Sequence, residues 1–159
     1  QSTAGRRIDA FVNVADLGPT FLELAGVRPP KEMTMRSLLP LLRGEPDVTP
    51  RDAVFANHER HANVRHDNQG YPVRAIRTRD FLYLRNLRPD RWPAGDADVL
   101  YVHERPFGDV DTTRIKDVLL AHRDDPAFAL PIARIFGRRP AEELYDLRRD
   151  PGQLTNVAA

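Results

Sequence analysis

Apolar positions in the first third of the chain come in short runs that glycine and proline interrupt. Residues 8–14 alternate loosely between apolar and polar side chains, which predicts a short strand. A helix is predicted from Asp16, its N-cap, to Ala25, because apolar side chains recur at helical spacing and Gly26 follows them. A second, shorter helix is predicted over residues 37–43, before the next glycine.

The middle of the chain alternates short apolar runs with polar loops. A strand is predicted over residues 52–58, and the polar segment 59–70 that follows predicts a loop. Residues 71–78 and 81–86 favour strands, are separated by two residues and together predict a hairpin. Residues 88–95 are too rich in proline and glycine for a helix or strand, so we expect an ordered loop that covers its tryptophan.

The last third of the chain predicts helices and a final strand. Residues 112–122 place apolar side chains at helical spacing. Asp125 and Pro126 suit the start of another helix, which Pro131 is expected to interrupt and a glycine to end. Residues 143–147 predict the last strand.

Composition removes several classes of protein from consideration. The chain has 159 residues, of which 41% are hydrophobic and 30% charged, and this balance is typical of a folded domain. Lys+Arg is 24 and Asp+Glu is 23, so no charge excess drives nonspecific binding to nucleic acid. The apolar runs are too short to cross a membrane. The absence of cysteine excludes disulfides, thiolate metal sites and a cysteine nucleophile in these residues.

Several segments, taken in order, resemble the sulfatase family. The D-L-x-P-T start of a helix, the R-S-L-L-P-L-L segment and the closing E-L-Y-D-L…D-P…N pattern of sulfatases are similar to residues 16–20, 36–42 and 143–156. The middle is similar to the bacterial branch related to heparan N-sulfatase (sulfamidase), through residues 59–61, 70–78 and 89–95. Each motif alone is weak, but their common order covers nearly the whole chain.

The resemblance implies an alkaline-phosphatase-like α/β fold, of which this chain would be an α+β part. Residues 1–45 would hold the last strand and helices of the catalytic domain. Residues 46–159 would form the C-terminal subdomain, a small antiparallel sheet packed against helices. The chain departs from the family at Met35, where a glycine is usual, and at Pro131.

The resemblance also implies hydrolysis of sulfate esters or N-sulfamates of a sulfated carbohydrate by a bacterial enzyme. The family's formylglycine nucleophile and calcium ligands lie upstream, so this chain would be a C-terminal fragment that needs the N-terminal catalytic portion and is inactive alone. Ser2 begins a formal S-x-A-x-R match, but it lacks the family's following residues and stands in the wrong place, so we do not expect a nucleophile there. Export to the periplasm or the medium would fit relatives, and the lack of cysteine fits either compartment.

Candidate substrate-binding residues cluster where the strand 52–58 meets its loop. We expect His61, Arg60, His58 and Arg74 to contribute, because arginine and histidine donate to sulfate and carboxylate oxygens and loops often carry binding groups. Arg65 has suitable chemistry too. For Arg74 an ion pair with a sheet neighbour competes with this role. No catalytic residue and no metal ligand set is expected in this chain; His103 and His122 have no partner at ligand spacing.

Two other functions remain open from sequence. The chain could be a noncatalytic carbohydrate- or anion-binding module that uses its arginines and Trp92, or a structural interaction domain. The reading frame upstream of Gln1 would discriminate between them, since a sulfatase needs the C/S-x-P/A-x-R motif and paired aspartates there.

Overall fold

The computed structural model describes residues 5–45, 48–100 and 104–158. Ser2 and His103 lie outside them. The helices are α1 (Leu17–Leu24), α2 (Leu39–Arg43), α3 (Arg114–Ala121) and α4 (Ala129–Phe136). The strands are β1 (Ala53–His58), β2 (Val73–Thr78), β3 (Phe81–Asn86) and β4 (Glu142–Asp146). No helix among the described residues has the length and apolar character needed to span a membrane.

The four strands form one small sheet in the order β1-β2-β3-β4. β3 and β4 pair antiparallel, with Leu82 opposite Tyr145 and Leu84 opposite Glu143. Because side chains alternate along a strand, these four residues share one face of the sheet. The strands predicted from residue 52 onward and the hairpin are confirmed, and with them the antiparallel sheet with helices.

The described residues up to Phe55, together with Arg77–Arg79, form one compact unit. Its centre is the fully buried carboxylate of Asp16, which pairs with both terminal nitrogens of Arg51. The main-chain N–H groups of Asn13 and Arg36 donate to the same carboxylate, at 2.8 and 3.3 Å. These donors stabilise the anion and hold the pKa of Asp16 below its usual value, Arg51 contributing most.

Thr20 completes the link between α1 and the segment before α2. Its hydroxyl donates to the Asp16 carbonyl at 2.6 Å and accepts from the Leu38 N–H at 2.8 Å. Through Asp16 and Thr20, one turn apart, α1 therefore holds the start of the R-S-L-L-P-L-L segment. Gly26 ends this helical region with a φ of +75°, as the sequence predicted.

The start of this unit differs from the prediction in two ways. Residues 8–13 are not a strand, because alternation alone supplies no neighbouring strand to bond with. Asp16 occupies the predicted N-cap position of α1, but its side chain makes no capping hydrogen bond, since Arg51 engages it. Asn13 instead caps a 3₁₀ turn at Val14–Asp16, where its side-chain oxygen accepts from Ala15 N–H at 3.0 Å.

The remaining described residues form the second compact unit, which holds most of the sheet and α3 and α4. Its apolar core is centred on Ala94, Leu119 and Phe136. Phe107 stacks on Phe136 with ring centroids 4.7 Å apart and meets the edge of Trp92 at 5.9 Å. The predicted ordered loop with its tryptophan is thus confirmed.

Pro131 does not interrupt a helix. It is the third residue of α4, where the missing N–H would have no partner within the helix. The chain before it, from Pro126 to Phe128, is a separate 3₁₀ turn capped by Asp125. The predicted interruption is therefore wrong in place, although the helix does end at Gly137.

Candidate functional site

The loop predicted as a candidate site, residues 59–70, closes on itself where it begins and ends. A Cβ at Gly70 would lie only 2.5 Å from the Glu59 carbonyl oxygen, so only glycine fits there. Val64 is fully buried in the middle of the loop. The loop is therefore anchored at its ends and at its centre, and is not a solvated connector along its whole length.

Arg65 provides the anchor and is not exposed, contrary to its interpretation as a substrate-binding cation. Only 3% of the residue is accessible. Its Nε donates to the Trp92 carbonyl at 2.9 Å, and its Nη2 donates to the Pro93 carbonyl at 2.8 Å and to Asp109 at 2.7 Å. The guanidinium also lies over the Tyr71 ring, 5.7 Å from its centroid. Burial and these three hydrogen bonds make Arg65 a structural link between loops, while its Nη1 is buried without a partner among the described residues.

His61 is the exposed member of the same group. Its side chain is 59% accessible, and its Nδ1 lies 3.5 Å from Oδ1 of the nearly buried Asp109. Nε2 makes no hydrogen bond to any described residue, so it is available to a ligand.

Arg60 and Arg74 are exposed but already have partners. Arg60 donates to the side chain of Asn68 and, at 3.5 Å, to its main-chain carbonyl. Arg74 forms an ion pair with Glu59 and donates to the carbonyl of Val73 at 3.0 Å. The ion pair is the alternative that the sequence left open for Arg74. A ligand of Arg60 or Arg74 would have to compete with these contacts, whereas Nε2 of His61 has no described partner to displace.

His58 faces a different environment from the other three candidates. It lines a cavity of about 560 Å³ over the sheet face that carries Leu82, Leu84 and the β4 residues. Arg134 and Arg139 also contribute to its wall. The described contacts place Arg60, His61 and Arg74 on or beside the loop, whereas His58 lines the cavity.

Polar groups buried in this cavity make a network. Glu143, 5% accessible, accepts from the Asn86 amide at 2.8 Å and from the Tyr145 hydroxyl, and Arg139 lies 4.0 Å away. Tyr71 is also buried, and its hydroxyl has no hydrogen-bond partner in the described part of the chain.

Burial controls the ionisation of the two tyrosines. Desolvation, helped by the charge of Glu143, raises the pKa of Tyr71 to about 12. Desolvation and the hydrogen bond to Glu143 raise the pKa of Tyr145 to about 12 as well. Both hydroxyls are therefore protonated donors at neutral pH.

Asp109, Glu143 and the two tyrosines were missed as site residues. Asp109 is 48 positions from His61 and carries no local motif. Glu143 and Tyr145 were visible within E-L-Y-D-L, but that pattern indicated a strand of the family and not which side chains its inner face presents.

One exposed group combines a histidine with two carboxylates. Ligand atoms of His66, Asp96 and Asp98 lie within 4.8 Å of one another. His66 Nε2 lies 2.9 Å from Asp98, and that contact raises the pKa of the imidazole and lowers the pKa of the carboxylate. The His66 N–H donates to Asp96 at 3.0 Å.

The donors within the described ranges do not fit the sulfatase formylglycine and calcium centre. Formylglycine needs a Cys or Ser in the C/S-x-P/A-x-R context, and the chain has no cysteine. Calcium takes six to eight oxygen ligands, whereas the group above offers a histidine and two carboxylates. No step of sulfate hydrolysis is therefore assigned to these residues.

A comparison with protein families decides what this arrangement belongs to. Residues 1–96, more than half of the chain, match the model of the family described as N-sulphoglucosamine sulphohydrolase, C-terminal. The chain belongs to this sulfatase family. The expected C-terminal portion of a sulfatase is confirmed, and the match spans the D-L-x-P-T helix, the 59–70 loop and the predicted hairpin.

Similar sequences are also sulfatases. One "Ulvan-active sulfatase" of Formosa agariphila is 28% identical over an alignment of 159 positions, which covers 98% of this chain and 26% of that protein. A second with the same description is 26% identical over 148 residues, covering 93% of this chain and 22% of the relative. The chain thus spans about a quarter of the length of the curated relatives it matches.

One solved structure has the same fold over most of this chain. A structure from work on the metabolism of multiple glycosaminoglycans by Bacteroides thetaiotaomicron has a TM-score of 0.51 at 16% identity, covering 96% of this chain and 24% of that one. A 2-O GAG sulfatase has a TM-score of 0.47 at 24% identity, with coverages of 90% and 19%. The first of these matches shows that the small sheet and its helices share their fold with part of that chain.

Proposed function

We propose that this chain is the C-terminal part of a sulfatase that hydrolyses sulfate esters or N-sulfamates of a sulfated carbohydrate. The observation that carries the proposal is the family match over residues 1–96. Two relatives described as ulvan-active sulfatases support a polysaccharide substrate. Residues 1–45 would complete the catalytic domain, and residues 46–159 would form the subdomain that reaches the substrate.

The 59–70 loop is the part of the chain proposed to contact the carbohydrate. His61 is exposed and has an unengaged Nε2 among the described contacts. Arg60 and Arg74 flank it with guanidinium groups that can exchange their present partners for sulfate or uronate oxygens. Because Arg65 and Val64 anchor the loop, these side chains project from a fixed support.

His58 and Arg139 belong to a second part of the proposed substrate surface. Both line the cavity over the sheet, whose floor is apolar and whose walls carry hydroxyl, carboxylate and guanidinium groups. A sugar ring presents apolar C–H faces and polar edges, so this mixture suits it better than it suits a purely anionic ligand.

Kinetics of the longer enzyme that carries this chain test the proposal. His61→Ala should lower kcat/KM for a sulfated oligosaccharide by about 5- to 150-fold, the worth of one lost polar contact, and should spare a small aryl sulfate that does not reach the loop. His66→Ala removes an exposed imidazole from the same loop and is the matched control.

Equal losses for both substrates would place His61 at the reaction centre or in the fold, and no loss for either would refute the loop's role. If the longer protein binds the oligosaccharide but hydrolyses no sulfated substrate, the alternative of a noncatalytic carbohydrate-binding module is favoured.

A further inference from the structure

The carboxylate of Asp109 is buried, and its two oxygens differ in their hydrogen bonding. Oδ2 accepts from Arg65 Nη2 at 2.7 Å. Oδ1 is inaccessible to solvent and has no hydrogen-bond partner among the described residues. The ring nitrogen His61 Nδ1 lies 3.5 Å away and is placed to donate to it. Arg65 Nη1, on the guanidinium that holds Oδ2, is buried without a partner too but makes no hydrogen bond to Oδ1. A buried carboxylate oxygen without a donor is costly, so a small approach of the imidazole is favoured.

Asp109 is held in place from two directions. Its main-chain N–H donates to the Ala94 carbonyl at 3.0 Å. The guanidinium of Arg65, which fixes Oδ2, is itself held by the Trp92 and Pro93 carbonyls. Since neither backbone nor carboxylate is free to turn, Oδ1 keeps its direction toward His61.

We propose that Asp109 is a positioning residue for His61: it accepts the Nδ1–H and thereby fixes the neutral imidazole with a bare Nε2 directed outward. The hydrogen bond made by one ring nitrogen determines which nitrogen carries the proton. The exposed nitrogen of the neutral ring is then an acceptor. Asp109 and His61 would thus form a carboxylate–imidazole dyad, and Arg65 holds the carboxylate in place.

The contact between Asp109 and His61 does not depend on the proposed function. Only the identity of the ligand that His61 would bind rests on that function. Sulfate oxygens accept hydrogen bonds but do not donate them, so they cannot pair with a bare Nε2. A sugar hydroxyl or a sulfamate N–H can. His61 in its neutral form would therefore select a donor group on the carbohydrate, while Arg60 and Arg74 are suited to its anionic groups.

A second histidine–carboxylate pair, His66 and Asp98, has the opposite ring nitrogen facing the carboxylate. His66 meets Asp98 through Nε2, at 2.9 Å, and both side chains are exposed. If a neighbouring carboxylate sets the tautomer, His61 should carry its proton on Nδ1 and His66 on Nε2. The two rings act as controls for each other within one spectrum.

Long-range ¹H–¹⁵N correlation spectra of the full chain, labelled with ¹⁵N-histidine and recorded at alkaline pH, distinguish the tautomers. We expect Nδ1–H at His61 and Nε2–H at His66. Asp109→Asn should weaken the preference at His61 alone, and Asp98→Asn should act at His66 alone. The methyl ¹H signals of buried Val64, recorded in a separate ¹H spectrum, verify that the loop is folded. Nε2–H at His61 in the folded wild-type chain would overturn the proposal.

A second measurement does not depend on the spectra and tests the same pair in the longer enzyme. Asp109→Asn and His61→Ala should each lower kcat/KM for the oligosaccharide, and the double variant should be no worse than His61→Ala alone. Additive losses would make Asp109 merely structural and overturn its positioning role. If His61 carries its proton on Nδ1 but His61→Ala leaves kcat/KM unchanged, the contact with Asp109 is supported and the loop's part in substrate binding is refuted.

Discussion

Asp16→Asn is the substitution whose effect on stability follows most directly from the structure. It keeps the shape of a fully buried side chain and removes the charge that faces Arg51. Breaking one partner of a buried ion pair costs about 3–5 kcal/mol. The lower end applies, because the Arg51 side chain is 19% accessible and can recover some hydration, and because an amide oxygen still accepts from one main-chain N–H.

Amide hydrogen exchange over α1 measures this loss. A decrease of about 3 kcal/mol corresponds to exchange faster by roughly 150-fold. Asp9→Asn removes the same charge from an exposed side chain of the same unit and should change stability by less than about 0.5 kcal/mol. Exchange in Asp16→Asn equal to that in Asp9→Asn would refute the structural role of the buried pair.

The stability difference between the wild-type chain and Asp16→Asn should depend on pH in one direction. The pKa of Asp16 is lowered in the folded state from its ordinary value of 3.8, so its ion pair stabilises the fold at pH values above 3.8. That contribution is lost as the pH falls through the lowered pKa. The wild-type chain should therefore lose its advantage over Asp16→Asn in acid, and an advantage that grows in acid would contradict the reasoning.

The other expectations concern the behaviour of the chain alone. Phe21 and Leu24 on α1 are each 61% accessible, so we expect concentration-dependent association in light scattering that Phe21→Glu reduces and Asp9→Asn, at an exposed polar position of the same unit, does not; a monodisperse wild-type chain would contradict this. The isolated chain with calcium should not hydrolyse an aryl sulfate or a sulfated disaccharide, and turnover that Ser2→Ala abolishes would show that the nucleophile was wrongly dismissed.

The sequence predicted the sheet well because its signals are local. β2 and β3 are rich in β-branched and aromatic side chains and are joined by a two-residue turn, so their pairing needs no distant information. Residues 8–13 alternate in the same way without becoming a strand, since pairing with a neighbour is not visible in alternation. Pro131 shows the same limit: its effect depends on its place in the helix, and the start of α4 was set too early.

The candidate site was only partly predictable, because charge does not reveal burial. Arg60 and Arg65 are five positions apart in one polar loop, yet one is exposed and the other has 3% of its surface accessible. The difference comes from carbonyl groups of Trp92 and Pro93 and from Asp109, which lie 27 to 44 positions away. No local pattern could associate them with Arg65, and for the same reason none could predict that Asp109 faces His61.

The residues that made the family visible differ from those proposed to read the substrate. Asp16 and Thr20 of D-L-x-P-T connect α1 to the segment before α2, and Glu143 and Tyr145 of E-L-Y-D-L bond to each other within the second unit. Such residues are constrained by buried polar contacts, so they form motifs that are recognisable in a single sequence. A loop that binds substrate has no such constraint on its exposed side chains. It needs only a rigid support, and in this chain Arg65 and Asp109 provide that support while His61 remains open to a ligand.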